Sequence, residues 1–394
     1  MRIGVNCCGL RPETGGLKQY FVTLFDHLLT HDTHNTYVFF YIDRNIEQLQ
    51  ELSEDSWKKL AIPLVDWRDI RRHLSEIDLY FCPFNILEPR PVSIPSVVTL
   101  VDIQETFYPQ FFSPNDLLSR AFHLPGSTRA ADRVITISNY SKQTLVEHHR
   151  ISPGKIVVSH LCAHPDFFKT SEAAAPVTMP TSEPFLLYPA NDWAHKNHEG
   201  LFRALVLLKE KQVIPKLILT GVHLHVVDEK VHRFGLSDQV VNLGYVTRAE
   251  LAYLYRKARM LVFPSLFEGF GMPVVEAMAA GCPAVVANAT SLPEICGDAA
   301  EYCDPRSPAS IADAIARVWQ DNDLCQRLVV RGLRRACDFS PARMAAAHLA
   351  AFEEAAASFT LGQYRRRYVY ELYHRGKFFL RRRTLSPVRK INRP

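Results

Sequence analysis

Short apolar runs of strand length recur along this chain with stretches of helix length between them, and that alternation restricts the fold more than any other feature. Arg2–Cys8 (RIGVNCC) is one such run and ends at Gly9. Beyond a loop containing Gly15 and Gly16, Leu17, Tyr20, Phe21, Leu24 and Leu28 repeat at intervals of three and four, as one buried helix face requires. Thr36–Ile42, Leu79–Cys82, Ser96–Leu100, Val134–Ile137 and Ile156–Ser159 continue the rhythm. Strands alternating with helices predict a parallel sheet covered on both faces.

The segment 169–184 (KTSEAAAPVTMPTSEP) loses this periodicity and gathers proline, serine and threonine, so it reads as a linker. The alternation then resumes at Phe185–Tyr188, Leu217–Thr220, Val240–Leu243, Met260–Phe263 and Ala284–Ala287. A chain of 394 residues exceeds the roughly 250–300 at which one core stops growing. The expected fold class is therefore α/β with two doubly wound Rossmann-like domains: 1–168, the linker 169–184, and 185–340. A C-terminal helix over 341–360 is expected to pack back toward the first domain, and 361–394 is a basic, aromatic tail. Thr247-Arg248-Ala249-Glu250 has capping-box form and fixes one helix start.

Several classes are disfavoured. The most apolar window, Ala277–Pro293, carries Asn288, Thr290, Ser291 and two prolines, so no segment reads as a membrane span. The start, MRIGVNCCGLRPETGG, does not read as a secretory signal, which places the chain in the cytoplasm. Nine scattered cysteines without a C-x-x-C pair read as reduced thiols. Asp321-Asn322-Asp323, the sole D-x-D, reads as a capping turn; His195/His198 lack a third ligand, and strand alternation explains His223/His225, so no metal is expected. Gly269 and Gly271 lack the rest of the dinucleotide fingerprint, which disfavours a nicotinamide cofactor.

The formal net charge is +5, yet 364–394 holds eleven Lys/Arg against the single Glu371, so the remainder is net acidic. Tyrosines and phenylalanines interleaved with those cations suit an anionic membrane surface. A solvated basic end whose tyrosines pack on the body is the alternative, and nucleic acid is the least favoured partner.

The segment richest in chemistry is LVFPSLFEGFGMPVVEAMAAGCPAVVAN, 261–288. A strand leads into a glycine-bearing loop, Pro273 suits a helix start, and Gly281 ends that helix. Amides at such a start attract an anion, for instance a diphosphate. Glu268 and Glu276 bracket it; like charge excludes them as phosphate ligands, which leaves sugar and ribose hydroxyls as their partners, or alternatively a plain surface turn beside a dipole-favoured Glu.

Glu268 and Glu276 form an E-x7-E signature, and FEGFGMPVVEAMAAGCPAVV resembles the family 4 retaining glycosyltransferases of GT-B fold. Tyr188-Pro189-Ala190-Asn191 with His195-Lys196-Asn197-His198, LILTG at 217–221, NLGYV at 242–246, ADRVITISNYSK at 131–142 and Gly15-Gly16 follow the family's order. The resemblance covers about residues 1–355 and is similar to bacterial mannosyltransferases of surface-polysaccharide synthesis.

It implies an acceptor-side first domain, a nucleotide-sugar-binding second domain and a cleft between them. Lys196, Glu268 and Asp102 would be catalytic. Gly16, Asn191, Gly221, Tyr245, Val246, Gly269, Phe270, Gly271, Met272 and Glu276 would bind the donor, with Gly15 and Ser138 on the acceptor side. Lys196 would neutralise the leaving diphosphate, Glu268 would hold the sugar and Glu276 the ribose. The implied reaction moves a hexose, mannose by overall likeness, from a nucleoside-diphosphate sugar such as GDP-mannose to a glycan or lipid-linked acceptor, without a resident cofactor, at the inner face of the cytoplasmic membrane. A noncatalytic nucleotide-sugar-binding scaffold, or a hydrolase or phosphorylase, is the alternative. The chain departs from the family at Asn191-Asp192-Trp193, where an arginine is common, at Val101-Asp102, where His-Asp is common, and at Ser159-His160-Leu161-Cys162, which replaces a proline-glycine turn.

Overall fold

The computed structural model describes residues 1–10, 15–42, 46–49, 52, 65–66, 70–169, 181–222 and 224–384. The chain forms two units: Met1–Ile137, Ser141–Ser159 and Ala342–Pro394 in the first, Ser138–Tyr140 and His160–Pro341 in the second.

The first unit is built on seven strands: β1 (Arg2–Asn6), β2 (Thr36–Tyr41), β3 (Val65–Asp66), β4 (Leu79–Cys82), β5 (Ser96–Thr99), β6 (Arg133–Thr136) and β7 (Ile156–Val158). All pair in parallel, in the order β3-β2-β1-β4-β5-β6-β7. Every residue of β4 and β5 is buried, as continuous apolar strands between two helical layers must be. Helices α1 (Gly15–His31), α2 (Pro114–Ala130) and α3 (Asn139–His149) belong to its connections.

The second unit carries β8 (Phe185–Pro189), β9 (Lys216–Thr220), β10 (Val240–Asn242), β11 (Met260–Phe263), β12 (Ala284–Ala287) and β13 (Glu301–Cys303), again parallel, in the order β10-β9-β8-β11-β12-β13. Its longer helices are α4 (His198–Glu210), α5 (His225–Arg233), α6 (Arg248–Lys257), α7 (Met272–Ala279), α8 (Pro308–Gln320) and α9 (Asn322–Ala336). The capping box at Thr247 is formed on both sides, and Asp321 caps α9 by accepting from Leu324 N, the capping turn that its D-x-D spacing suggested. His225 departs from strand alternation: it opens α5, while His223 lies outside the described residues.

One boundary differs from the sequence reading. Residues 160–168, expected in the first domain, belong to the second unit because Phe167 is buried against Tyr255, at 5.9 Å between rings. Residues 170–180 of the expected linker lie outside the described residues.

The C-terminal helices α10 (Pro341–Ser358) and α11 (Leu361–Thr384) belong, from Ala342 onward, to the first unit. His348 and Phe352 of α10 meet Phe81 edge-on, at 5.8 and 5.1 Å. His348 Nδ1 lies 2.8 Å from Met344 O; a carbonyl only accepts, so Nδ1 carries the proton and Nε2 accepts from Tyr20 OH, 2.7 Å away. Tyr20 OH in turn lies 2.9 Å from Thr99 Oγ1. This chain of bonds satisfies three buried polar side chains and ties α10 and α1 to β5. None of the nine cysteines is in a disulfide, and seven are buried.

Burial lowers the His348 pKa to about 4, against the opposing bond to Met344. The folded unit keeps it neutral where the unfolded chain takes up a proton near 6.5, so the stability it confers is complete above pH 6.5 and falls as pH drops toward 4. Urea unfolding at pH 7 and pH 5 should show a His348→Gln variant losing about 2 kcal/mol less than the parent over that interval; equal losses would place the proton uptake elsewhere.

Candidate functional site

In the second sheet β8, β9 and β10 step one way and β11, β12 and β13 the other, so chain order reverses between neighbours β8 and β11. The loops leaving their carboxyl ends border the crevice at which open α/β sheets bind ligands. The loop after β8 carries Lys196 and the loop after β11 carries Glu268.

Lys196 Nζ lies 2.6 Å from Glu268 Oε1, with both side chains 11% exposed. Several contacts hold the lysine. Asn197 adopts left-handed φ (62°) and donates through Nδ2 to Pro264 O and Pro305 O, at 3.0 and 2.7 Å. Tyr188 OH donates to Lys196 O, Leu266 N donates to His195 O at 2.7 Å, and the ammonium stands 5.1 Å above the Phe263 ring.

Glu268 is fixed through its backbone. Its N–H donates to Thr290 Oγ1 at 3.1 Å, and Ser291 Oγ lies within hydrogen-bond reach of both Glu268 O and Phe270 O. Ser138, one of the few residues from the first half of the chain that cluster with this unit, donates its hydroxyl to Gly269 O at 2.8 Å. Gly271 caps α7 at φ 106°, a left-handed conformation that favours glycine. Met272 then opens α7, with Pro273 second rather than first.

Glu276, on α7, has a different environment. It is buried, accepts from Tyr255 OH at 3.1 Å, and burial raises its pKa to about 7 against that hydrogen bond and the pull of Arg248. Two carboxylates eight positions apart are thus separated electrically: one ion-paired, one partly protonated near neutrality. Burial also depresses His195 and His198 to about 4, which keeps both imidazoles neutral beside the lysine.

At the neighbouring loop, Asn191 Oδ1 accepts from Val222 N at 2.9 Å and Gly221 N donates to Gly244 O at 2.8 Å. Val246 is half-buried, whereas Tyr245 is 75% exposed. No cation stands at 191–193 in the sequence, yet Lys230 on α5 reaches Asp192 Oδ1 at 3.1 Å. Gly15, Gly16 and Asp102 belong to the first unit, beyond the carboxyl ends of β1 and β5; Gly15 has φ 35°, and Asp102 Oδ1 accepts from Gln104 N at 3.1 Å. Among the described residues no group of three or more His, Cys, Asp and Glu could hold a metal ion.

Sequence reasoning assigned no site role to Tyr255, Tyr188, Thr290, Ser291 or Lys230. Tyr255 is an apolar-face position of an amphipathic helix, and Lys230 belongs to a helix it did not read, so neither gave a signal.

Compared with known families, residues 170–335 match the one described as "Glycosyl transferases group 1". The chain carries a group 1 glycosyl transferase domain. It is 32% identical over 253 residues to O-antigen chain mannosyltransferase B of Escherichia coli, a match covering 62% of this chain and 66% of that one. It is 27% identical over 231 residues to an O-antigen chain mannosyltransferase of Salmonella typhimurium, covering 58% and 62%. The chain thus spans at most 66% of either relative's length. The crystal structure of a glycosyltransferase from Rickettsia africae superposes with a TM-score of 0.69 at 17% identity, covering 91% of this chain and 99% of that one. The architecture is GT-B, two doubly wound units, as the sequence resemblance implied.

Lys196→Ala would leave the Glu268 charge unpaired in a largely buried setting. We expect it to lower stability by about 2 kcal/mol, and the Lys196→Ala/Glu268→Ala pair to cost clearly less than the sum of the two single changes, with a coupling of about 1–3 kcal/mol in denaturant titrations. Strict additivity would mean that the pair is not a unit.

Proposed function

We propose that the chain is a retaining, metal-independent hexosyltransferase that moves mannose from a nucleoside-diphosphate sugar, GDP-mannose, to a glycan or lipid-linked acceptor in surface-polysaccharide synthesis. The observation that carries this reading is the Lys196–Glu268 pair at the strand-order reversal, beside the helix start at Gly271. The two O-antigen chain mannosyltransferases support the choice of sugar.

The roles follow from charge. A diphosphate arriving at α7 meets the partial positive charge of its first turn and competes with Glu268 for Lys196. The lysine turns toward the phosphate, and the released Glu268 carboxylate accepts hydrogen bonds from sugar hydroxyls. Glu276, deeper and shielded, takes the ribose hydroxyls. In transfer with retention the bond from sugar C1 to the diphosphate oxygen breaks while a bond from C1 to the acceptor oxygen forms on the same face; the acceptor proton passes to the departing diphosphate oxygen. Negative charge grows on that oxygen, and Lys196 stabilises it there. Asn191, Gly221, Tyr245 and Val246 line the donor side, Gly16 approaches the phosphate, and Asp102, Gly15 and Ser138 serve the acceptor. The enzyme works in the cytoplasm, attached peripherally to an anionic membrane.

The test is release of nucleoside diphosphate from a panel of GDP- and UDP-hexoses with and without acceptor glycan. Release only with acceptor is expected, and Lys196→Ala should lower kcat about 10²–10³-fold. Release without acceptor would indicate a hydrolase, and no release from any donor a binding scaffold. Because Glu276 gains its full charge only above pH 7, the donor KM should fall between pH 6 and pH 8, and a Glu276→Gln variant should flatten that profile.

A further inference from the structure

The tail predicted from its charge is, through Thr384, the 24-residue helix α11, which lies along α2. Its attachment is polar. Glu371, the sole acidic residue of 364–394, is buried and receives Arg90 Nε at 3.1 Å and Arg375 Nε at 2.8 Å. Arg367 Nη1 donates to Asp132 Oδ1 at 2.7 Å and to Ala130 O at 3.1 Å. Phe378 adds an aromatic contact to Phe122, at 4.2 Å.

The opposite face is apolar and open. Tyr368, Val369, Leu372 and Tyr373 fall at intervals of three and four on one side of the helix, with Leu361 two turns before Tyr368; Val369 is 67% and Tyr373 66% exposed. Arg365 and Arg366, also exposed, lie along that side. A surface helix of a globular protein does the reverse, burying its apolar stripe and presenting charge to water. An exposed run of large apolar side chains marks an interaction surface.

Charge selects the occupant. The one carboxylate in this stretch faces inward and is taken up by two arginines, so among the described residues the outward face presents aliphatic groups, tyrosines and cations. A second copy docking face to face would bring arginines against arginines, and a nucleic acid has nothing to offer Val369 and Leu372. An anionic lipid surface satisfies both: headgroups meet the arginines and acyl chains receive the stripe, with the tyrosines at the boundary.

We propose that α11 lies in the plane of an anionic bilayer with this stripe inserted, while its Glu371 face stays bound to the protein, so that the helix is a rigid docking plate rather than a loose charged tether. The inference rests on the peripheral-membrane reading above. The test is co-sedimentation of the whole chain with phosphatidylcholine vesicles, with or without phosphatidylglycerol, at physiological salt. The parent should bind only the anionic vesicles. A Val369→Asp/Leu372→Asp variant should bind at least tenfold more weakly with its melting temperature unchanged, whereas Val330→Asp, equally exposed on α9, should bind as the parent does.

Failure of the parent to bind would overturn the membrane reading itself. Equal binding by parent and stripe variant would overturn only the insertion, leaving charge alone to account for attachment. A stripe variant that loses self-association in sedimentation velocity yet keeps vesicle binding would assign the face to a second copy. Thermal stabilisation by nucleotide sugars reads the glycosyltransferase site independently of all three.

Discussion

Reversal of strand order between β8 and β11 is the constraint on which the candidate site depends. The chain runs from β8 to β9 and β10 on one side and returns to β11 on the other, so the two loops at the reversal emerge side by side. That is how Lys196 and Glu268, 72 residues apart, come to share a hydrogen bond. Burying such a pair is a poor way to gain stability, since two charges leave water for one contact. Its position, beside a helix that starts on an unsubstituted glycine cap, suits the use proposed above, in which the carboxylate holds the cation until an anion claims it.

The two glutamates of the site show how environment separates identical side chains. Glu268 sits on a loop pinned by Thr290 and Ser291 and pairs with a lysine. Glu276 sits one turn into α7, buried and bonded to a tyrosine, so burial pushes its proton affinity up to the neutral range. A diphosphate needs the first arrangement, where a cation can be released. Hydroxyl recognition suits the second, where a desolvated acceptor discriminates strongly against groups that cannot donate.

Much of the fold is legible in the sequence because parallel strands covered on both faces must be apolar throughout, and runs such as Leu79–Cys82 and Met260–Phe263 announce themselves. The pairing of Lys196 with Glu268 is not encoded in any local pattern; spacing marks the glutamates, and only the sheet order brings the lysine to them. Tyr255 is invisible for a related reason, since a buried tyrosine and a ligand-binding tyrosine occupy the same helix face in a one-dimensional pattern. The tail illustrates a subtler limit. Its charge is obvious, but the role of Glu371 is not: the single acidic residue decides which face turns inward, and it does so through Arg90, 281 residues away. The segment 160–168 groups with the second unit, where Phe167 meets Tyr255, a partner far along the chain that no local pattern announces.

The proposed function gives Lys196 one task, to serve the diphosphate of the donor. Calorimetric titration of the intact chain with a nucleoside diphosphate and with the matching monophosphate isolates it, because the two ligands share base and ribose and differ by the phosphate the lysine would meet. The parent should favour the diphosphate by at least about tenfold, or roughly 1.4 kcal/mol, and Lys196→Ala should erase that preference while leaving monophosphate affinity intact. A preference that survives the substitution unchanged would contradict the account.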